Sequence, residues 1–257
     1  MNDTRIRGVA DSELFDYGAD VSRLVVRAWR MLADGNPIDA GRVQDLIEDL
    51  AIAPETAQEF LQSVTERDGD GDIVGVLGLS LNDHAHGFIV NGVSFSTWCA
   101  VDTLFLPAML GQSADVKSVS PLSKKSIRLT VGPQGVQALE PASTVVSLPV
   151  VRSGEVDTGS PEGIWRTFCH RIFFFATREE AEQWADEKID VGAAVRKALA
   201  WWRGQTKRSW QRLNSLCRYG VKSRLACRFL RKLLTHRECA CVLRTPPYRS
   251  HPGQNAP

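Results

Sequence analysis

No stretch of the 257-residue sequence reaches the roughly 18 consecutive apolar residues that a membrane-spanning helix needs. The basic residues of the opening segment, MNDTRIRGVADSELFDYGAD, have no apolar run behind them, so a signal peptide is not expected. These absences make a cytoplasmic protein the expectation. Paired CxxC spacing is also missing. The six cysteines stand at 99, 169, 217, 227, 239 and 241, which argues against a structural zinc site. In a reducing compartment they stay thiols, open to chemistry or to metal binding rather than to disulfides. There is no internal repeat.

The formal net charge of +1 conceals an asymmetry. From Arg196 onward fifteen Lys and Arg face a single acid, Glu238, while the remainder holds sixteen bases and twenty-nine acids. An acidic body therefore carries a basic tail.

Leu24, Val25, Ala28, Met31 and Leu32 recur at helical spacing and predict a helix over 21–33. GNPID breaks it, and 39–50 and APETAQEFLQSVT read as two more helices. ERDGDGDIVGVLGLSL then reads as a turn and a strand. Three helices and a β-wing suggest a winged-helix-like subdomain. Its would-be recognition helix carries Glu55 and Glu59 without Lys or Arg, and its wing carries Asp68, Asp70 and Asp72. Such a surface repels phosphates, so DNA is not the expected partner.

The middle of the chain is β-rich. HGFIVNGVSFS alternates around Asn91-Gly92, a strong hairpin signal. SIRLTVGPQGVQALE and STVVSLPVV supply further strands. RSGEVDTGSPEG reads as a loop, IWRTFCH as a short helix or turn, RIFFFA as a strand, and Thr177 with Glu180 as the capping box of a last helix. The expected class is α+β: a winged-helix-like three-helix subdomain over 1–80, then a mixed or antiparallel β-rich catalytic domain with flanking helices over 81–195, then a basic tail over 196–257. The tail has helical stretches and ends in a Pro/Gly/polar segment of disordered composition.

Within FSTWCAVDTLFLPAMLG, a thiol and an acid stand three residues apart in an apolar segment. If Ser96 or Thr97 caps a helix, Cys99 lies in its first turn, where free N–H groups and the macrodipole lower a thiol's pKa. Asp102 then shares that face. Its apolar neighbours Trp98, Leu104, Phe105 and Leu106 disfavour ionisation, which suits a general acid. A buried cysteine acting as a small hydrophobe fits the local sequence as well.

WCAVDTLFLPAMLG resembles the Trp-Cys-Ala-x-Asp-Thr-Leu…Pro-Ala-x-x-Gly segment of organomercurial (alkylmercury) lyases. IRLTVGPQGVQALEPASTVVSLP resembles that family's strand pair, and FCHRIFFFATREEAEQW its second cysteine motif. The three blocks keep their order over about residues 20–190. The resemblance implies that Cys99, Cys169 and Asp102 hold mercury, two soft thiolates suiting the soft ion. It implies cleavage of a carbon–mercury bond with Asp102 as proton donor, giving a hydrocarbon and Hg(II), without organic cofactor or catalytic zinc. Organomercurials would be the substrates, and cellular thiols or a mercuric reductase would accept the Hg(II). Trp98, Phe95 and Phe168 adjoin the ligands and are candidates for the apolar pocket around the organic group; ordinary core positions fit them equally.

Many relatives carry a further, structural cysteine where this sequence has Ser120, a loss read as structural rather than catalytic. The tail departs more. It fits binding of nucleic acid or an anionic surface, Hg(II) shuttling by Cys239 and Cys241 with Cys217 and Cys227, or a non-native terminus. His84 and His86 are expected at the surface, and His170 is a candidate to tune Cys169. Two rival functions stay open: thiol-based trapping of soft metals without bond cleavage, and a winged-helix metal-responsive regulator.

Overall fold

Residues 18–149, 155–185 and 189–194 are described by the computed structural model of the chain. The helical periodicity at its start is spent on one apolar face: Leu24, Val25, Ala28 and Leu32 are all buried along α1 (Gly18–Leu32). Asp39 caps α2 (Ala40–Leu50), its Oδ1 accepting the Arg42 N–H at 2.9 Å. Pro54 opens α3 (Pro54–Val64), where a missing N–H costs nothing.

A bulged hairpin of β1 (Thr65–Arg67) and β2 (Ile73–Val76) follows the helices. It is not a free wing. β2 pairs with β3 (Leu79–Ser80), and β3 pairs with β5 (Val93–Thr97). Beyond lie β4 (His86–Val90), β6 (Ala114–Val119), β7 (Ser126–Gly132) and β8 (Gly135–Glu140). Together they form one antiparallel sheet in the order β1-β2-β3-β5-β4-β6-β7-β8. The Asn91-Gly92 turn joins β4 to β5, both residues at positive φ (51° and 80°) as a two-residue hairpin requires. Helix α4 (Asp102–Leu110) connects β5 to β6.

A second antiparallel sheet, in the order β10-β9-β11, is made by β9 (Val145–Pro149), β10 (Phe174–Phe175) and β11 (Ile189–Ala194). Helix α5 (Pro161–Thr167) and a 3-10 turn over Cys169–Arg171 lead into β10, and α6 (Arg178–Trp184) follows it. The α+β class and the antiparallel sheet are as expected. The boundary near residue 80 falls at the end of β3, and the sheet crosses it. One apolar core runs through Leu24 and Leu61 of the helices, Leu104 of α4, Leu129 of β7 and Phe174 of β10. Among the described residues no helix is long and apolar enough to cross a membrane. The tail from 196 lies outside the described residues.

Several local expectations change. RIFFFA is mostly irregular, with strand geometry at Phe174 and Phe175 alone. Part of the segment read as loop, SPEG, starts α5, capped by the Ser160 hydroxyl on the Gly163 N–H at 3.0 Å. Strand β6 was not anticipated, although Ala114, Val116 and Ser118 alternate inward. His86 is buried, not superficial: its ring packs on Phe173 and Phe174, and Nδ1 meets Ser118 Oγ at 2.8 Å. Burial, the leading cause, lowers its pKa to about 4 and keeps the imidazole neutral.

Thr177 caps α6 as expected, accepting the Glu180 N–H. Glu180 reaches further, its Oε2 accepting the Ala176 N–H at 3.1 Å and the Ser120 hydroxyl at 2.8 Å. Ser120 is fully buried and thus ties the turn after β6 to α6. Ser120→Ala is expected to cost about 1–2 kcal/mol in urea unfolding, the range for such a hydrogen bond, with turnover kept. Lost turnover at an unchanged midpoint would contradict the structural role.

Candidate active site

Strand β5 holds its geometry through Thr97 because neighbours pair on both sides: Ser96 with Ser80 and Gly87, Thr97 with Leu79 and His86. The expected helix therefore starts later, at Asp102, with Val101 as its N-cap. Cys99 lies in the turn before it, not in its first turn. Thr97 Oγ1 donates to the Cys99 carbonyl at 2.9 Å, and Thr103 Oγ1 to the Ala100 carbonyl at 2.7 Å. Asp102 reaches backward, its Oδ2 accepting the Cys99 N–H at 2.8 Å.

Cys169 comes from the other sheet's side of the fold. Its 3-10 turn is closed by the Ile172 N–H on the Cys169 carbonyl at 3.0 Å. Ser147 of β9 holds the exit, donating Oγ–H to the Arg171 carbonyl at 2.7 Å and exchanging bonds with Phe173. The two segments meet through one main-chain bond, Ala100 N–H to the Ile172 carbonyl at 3.2 Å. In consequence the Cys99 and Cys169 sulfurs and an Asp102 carboxylate oxygen lie within 4.8 Å of one another, all three residues buried. Metal–sulfur bonds of about 2.3 Å, the zinc value, let two sulfurs at that spacing share one ion with little movement.

Burial sets the electrostatics. It pushes the Cys99 thiol well up, helped by donation of its S–H to Cys169 and by the Asp102 charge; the Asp102 N–H alone pulls the other way. The lowered thiol pKa expected from a helix start is thus reversed by desolvation. For Cys169 the hydrogen bond from Cys99 favours the thiolate most, but burial and the Asp102 charge leave its pKa raised. Burial lifts the Asp102 carboxyl from 3.8 to about 7 against hydrogen bonds from the Cys99 side chain and main chain. The expected reluctance of Asp102 to ionise is present.

Of the three aromatic candidates, Phe95, Trp98 and Phe168 are all buried, and Trp98 also lines a cleft. Its indole N–H donates to Glu66 Oε1, a residue that sequence reasoning passed over. Oε1 also meets His84 Nε2 at 2.9 Å, and Oε2 accepts from Ser80 at 2.6 Å and Asn82 at 2.9 Å. Burial opposes ionisation of Glu66, but bonds from His84, Ser80 and Asn82 and the His84 charge hold its carboxyl below the ordinary range. Nothing local marks Glu66, since its partners come from β3, the following loop and the β5 exit. His170 faces Trp165, Nδ1 at 3.2 Å from its carbonyl and the rings 5.9 Å apart. Gly78 was also missed. Its φ is +97°, and a Cβ there would stand 2.7 Å from Asp102 Cγ.

Two thiols and a protonatable carboxyl, shielded from water on an antiparallel α+β scaffold, define a site for a soft metal and a proton. The family model of alkylmercury lyase matches residues 79–210. The alkylmercury lyase of Streptomyces lividans is 36% identical over 165 residues, 62% of this chain and 72% of that protein. That of Staphylococcus epidermidis is 32% identical over 180 residues, 68% of this chain and 78% of that protein. The chain belongs to the alkylmercury lyase family. In fold it is similar to a crystal structure of the mercury-bound form of MerB2, with a TM-score of 0.57 at 24% identity, covering 73% of this chain and 90% of that one.

Gly78→Ala should destabilise by roughly 1–3 kcal/mol in urea unfolding, combining backbone strain with pressure on Asp102. Gly71→Ala is the control, at φ +86° with open space around it. Equal losses in the two variants would remove the packing of Gly78 on Asp102.

Asp102 also sets a pH dependence. Its folded pKa lies above the unfolded value, so between about pH 4 and 7 the native state holds the extra proton and stability falls as pH rises. Asp102→Asn should remove up to about 4 kcal/mol of that slope, three pKa units at 1.36 kcal/mol each. Urea midpoints of both proteins from pH 4 to 8 check this; parallel curves would contradict it.

Proposed function

We infer that the protein is an organomercurial lyase that breaks carbon–mercury bonds by protonolysis, giving a hydrocarbon and Hg(II). The observation that carries the residue assignment is the closure of Cys99, Cys169 and Asp102 onto one point. Cys169 is the first ligand, because the bond from Cys99 makes it the easier thiol to ionise. It displaces the substrate's counter-ligand and gives up its proton, forming sulfur–Hg–R. Ionised Asp102 then takes the Cys99 proton, and the new thiolate becomes the second ligand. Two sulfurs load electron density onto mercury and weaken its bond to carbon. Asp102 returns the proton to carbon, the hydrocarbon leaves, and mercury stays on both sulfurs.

Two external thiols complete the cycle by taking Hg(II) and restoring protons to Cys99 and Cys169. Cellular thiols or a mercuric reductase fit that role, and we place the reaction in the cytoplasm, where both occur. The chemistry calls on no cofactor, since the three side chains supply every electron pair and proton. It also separates catalysis from mere trapping, because a trap has no use for a proton donor.

Headspace detection of benzene from phenylmercury, or methane from methylmercury, with excess thiol is the test. Cys99→Ala, Cys169→Ala and Asp102→Ala are each expected to lose at least a hundredfold in release, about the scale of one general acid. Asp102→Ala should still bind Hg(II). Near-parental release by any folded variant removes that residue from its role.

A further inference from the structure

A cleft of about 400 Å³ is lined by Trp98, the neighbour of Cys99, and by α5, which leads to Cys169. It lies between the segments that carry the two sulfurs. One wall is Trp98, the residue before Cys99, with Glu66 and His84. The other is Pro161, Glu162 and Trp165 of α5, whose end passes the chain to Phe168 and Cys169. Trp98 is tied to the chemistry through its main chain: its N–H donates to the Gly78 carbonyl at 3.0 Å, and Gly78 packs against the Asp102 carboxyl. The volume of the cleft suits a small organic ligand.

Two features indicate what enters. Trp165 is 44% exposed, one of only three large apolar side chains so exposed among the described residues, and it stands at the cleft. With Trp98 it offers two indoles to an apolar or aromatic group. The lining also holds two carboxylates, Glu66 and Glu162, against the single imidazole of His84, with no Lys or Arg among the described lining residues. Glu66 is held ionised by its donors, and Glu162 is exposed. An organomercurial with an apolar organic group is complementary to the two indoles, whereas a carboxylate on the organic group meets repulsion from Glu66 and Glu162.

Building on the lyase reading, we propose that this cleft is the entry port and organic-group subsite: the organomercurial enters between Trp98 and Trp165, and carboxylate-bearing organic groups are selected against. Trp165 and Glu162 are then specificity-determining residues. Both are on the surface, so their replacement leaves the core untouched.

The test is steady-state hydrocarbon release with a neutral thiol as mercury acceptor, comparing phenylmercury, 4-carboxyphenylmercury and methylmercury. Trp165→Ala is expected to raise KM for phenylmercury roughly three- to tenfold, the worth of one aromatic contact. Its kcat should hold, and KM for methylmercury should change less than about twofold. Glu162→Lys is expected to lower KM for 4-carboxyphenylmercury relative to phenylmercury by about three- to tenfold, a gain that shrinks in high salt. If the parent protein turns over and both KM ratios stay within about twofold of parental, the port assignment is overturned while the lyase reading stands. A parent protein that releases no hydrocarbon from any of the three overturns the lyase reading itself.

Discussion

Desolvation of three ionisable groups at one point is the constraint on which this structure turns. Cys99, Asp102 and Cys169 are all buried, and burial raises the pKa of each, working against the bond from Cys99 in the case of Cys169. The resting site is therefore rich in protons and poor in charge. A thiophilic cation reverses that balance, because binding it requires thiolate and releases protons. In the proposed reaction the same low-dielectric environment keeps the displaced proton local, on Asp102, where water cannot carry it off. Protons held on sulfur at rest become the protons that chemistry uses.

Such convergence has to be imposed by the scaffold. Cys99 and Cys169 sit in irregular backbone, a turn after β5 and a 3-10 turn before β10, yet each is fixed at both ends. Strand pairing holds the chain through Thr97, and α4 takes over at Asp102. Ser147 grips the residues after Cys169, and the Ala100–Ile172 bond joins the two turns. The helices contribute from behind, Trp29 Nε1 of α1 donating to the Val76 carbonyl at 2.8 Å beside the Gly78 turn. Rigid elements thus hold a site whose own backbone is neither helix nor strand.

What the sequence made legible was local. Asp39, Pro54, Asn91-Gly92 and Thr177 each act within a few residues, and each does in the fold what its chemistry suggests. The cysteine and aspartate words were legible by resemblance, and the structure brings their side chains together. The failures share a different cause. The start of α4 depends on β3 and β4 pairing with β5, and the acidity of Cys99 depends on burial, which no short window displays. Ser118 faces inward because His86 waits there, and Glu66 acquires four donors from three separate segments. Non-local partners set these features, so a linear reading could not have ranked them.

The buried carboxyl also bears on why the site is more than a mercury trap. A pKa of about 7 in a group that ordinarily titrates near 3.8 means that burial disfavours ionised Asp102 in the fold. An apolar side chain in its place would relieve that penalty and leave both sulfurs free to bind. Meanwhile Gly78 accepts a positive φ and forgoes a side chain, leaving room for the Asp102 carboxylate. A site for holding Hg(II) alone needs neither concession. Both make sense in the proposed reaction, where the carboxyl stands beside sulfur-bound mercury, ionised long enough to take a proton from Cys99 and protonated long enough to give it to carbon. A group poised near neutrality performs both transfers, and one left at its ordinary acidity would perform only the first with difficulty, being too weak a base for a buried thiol.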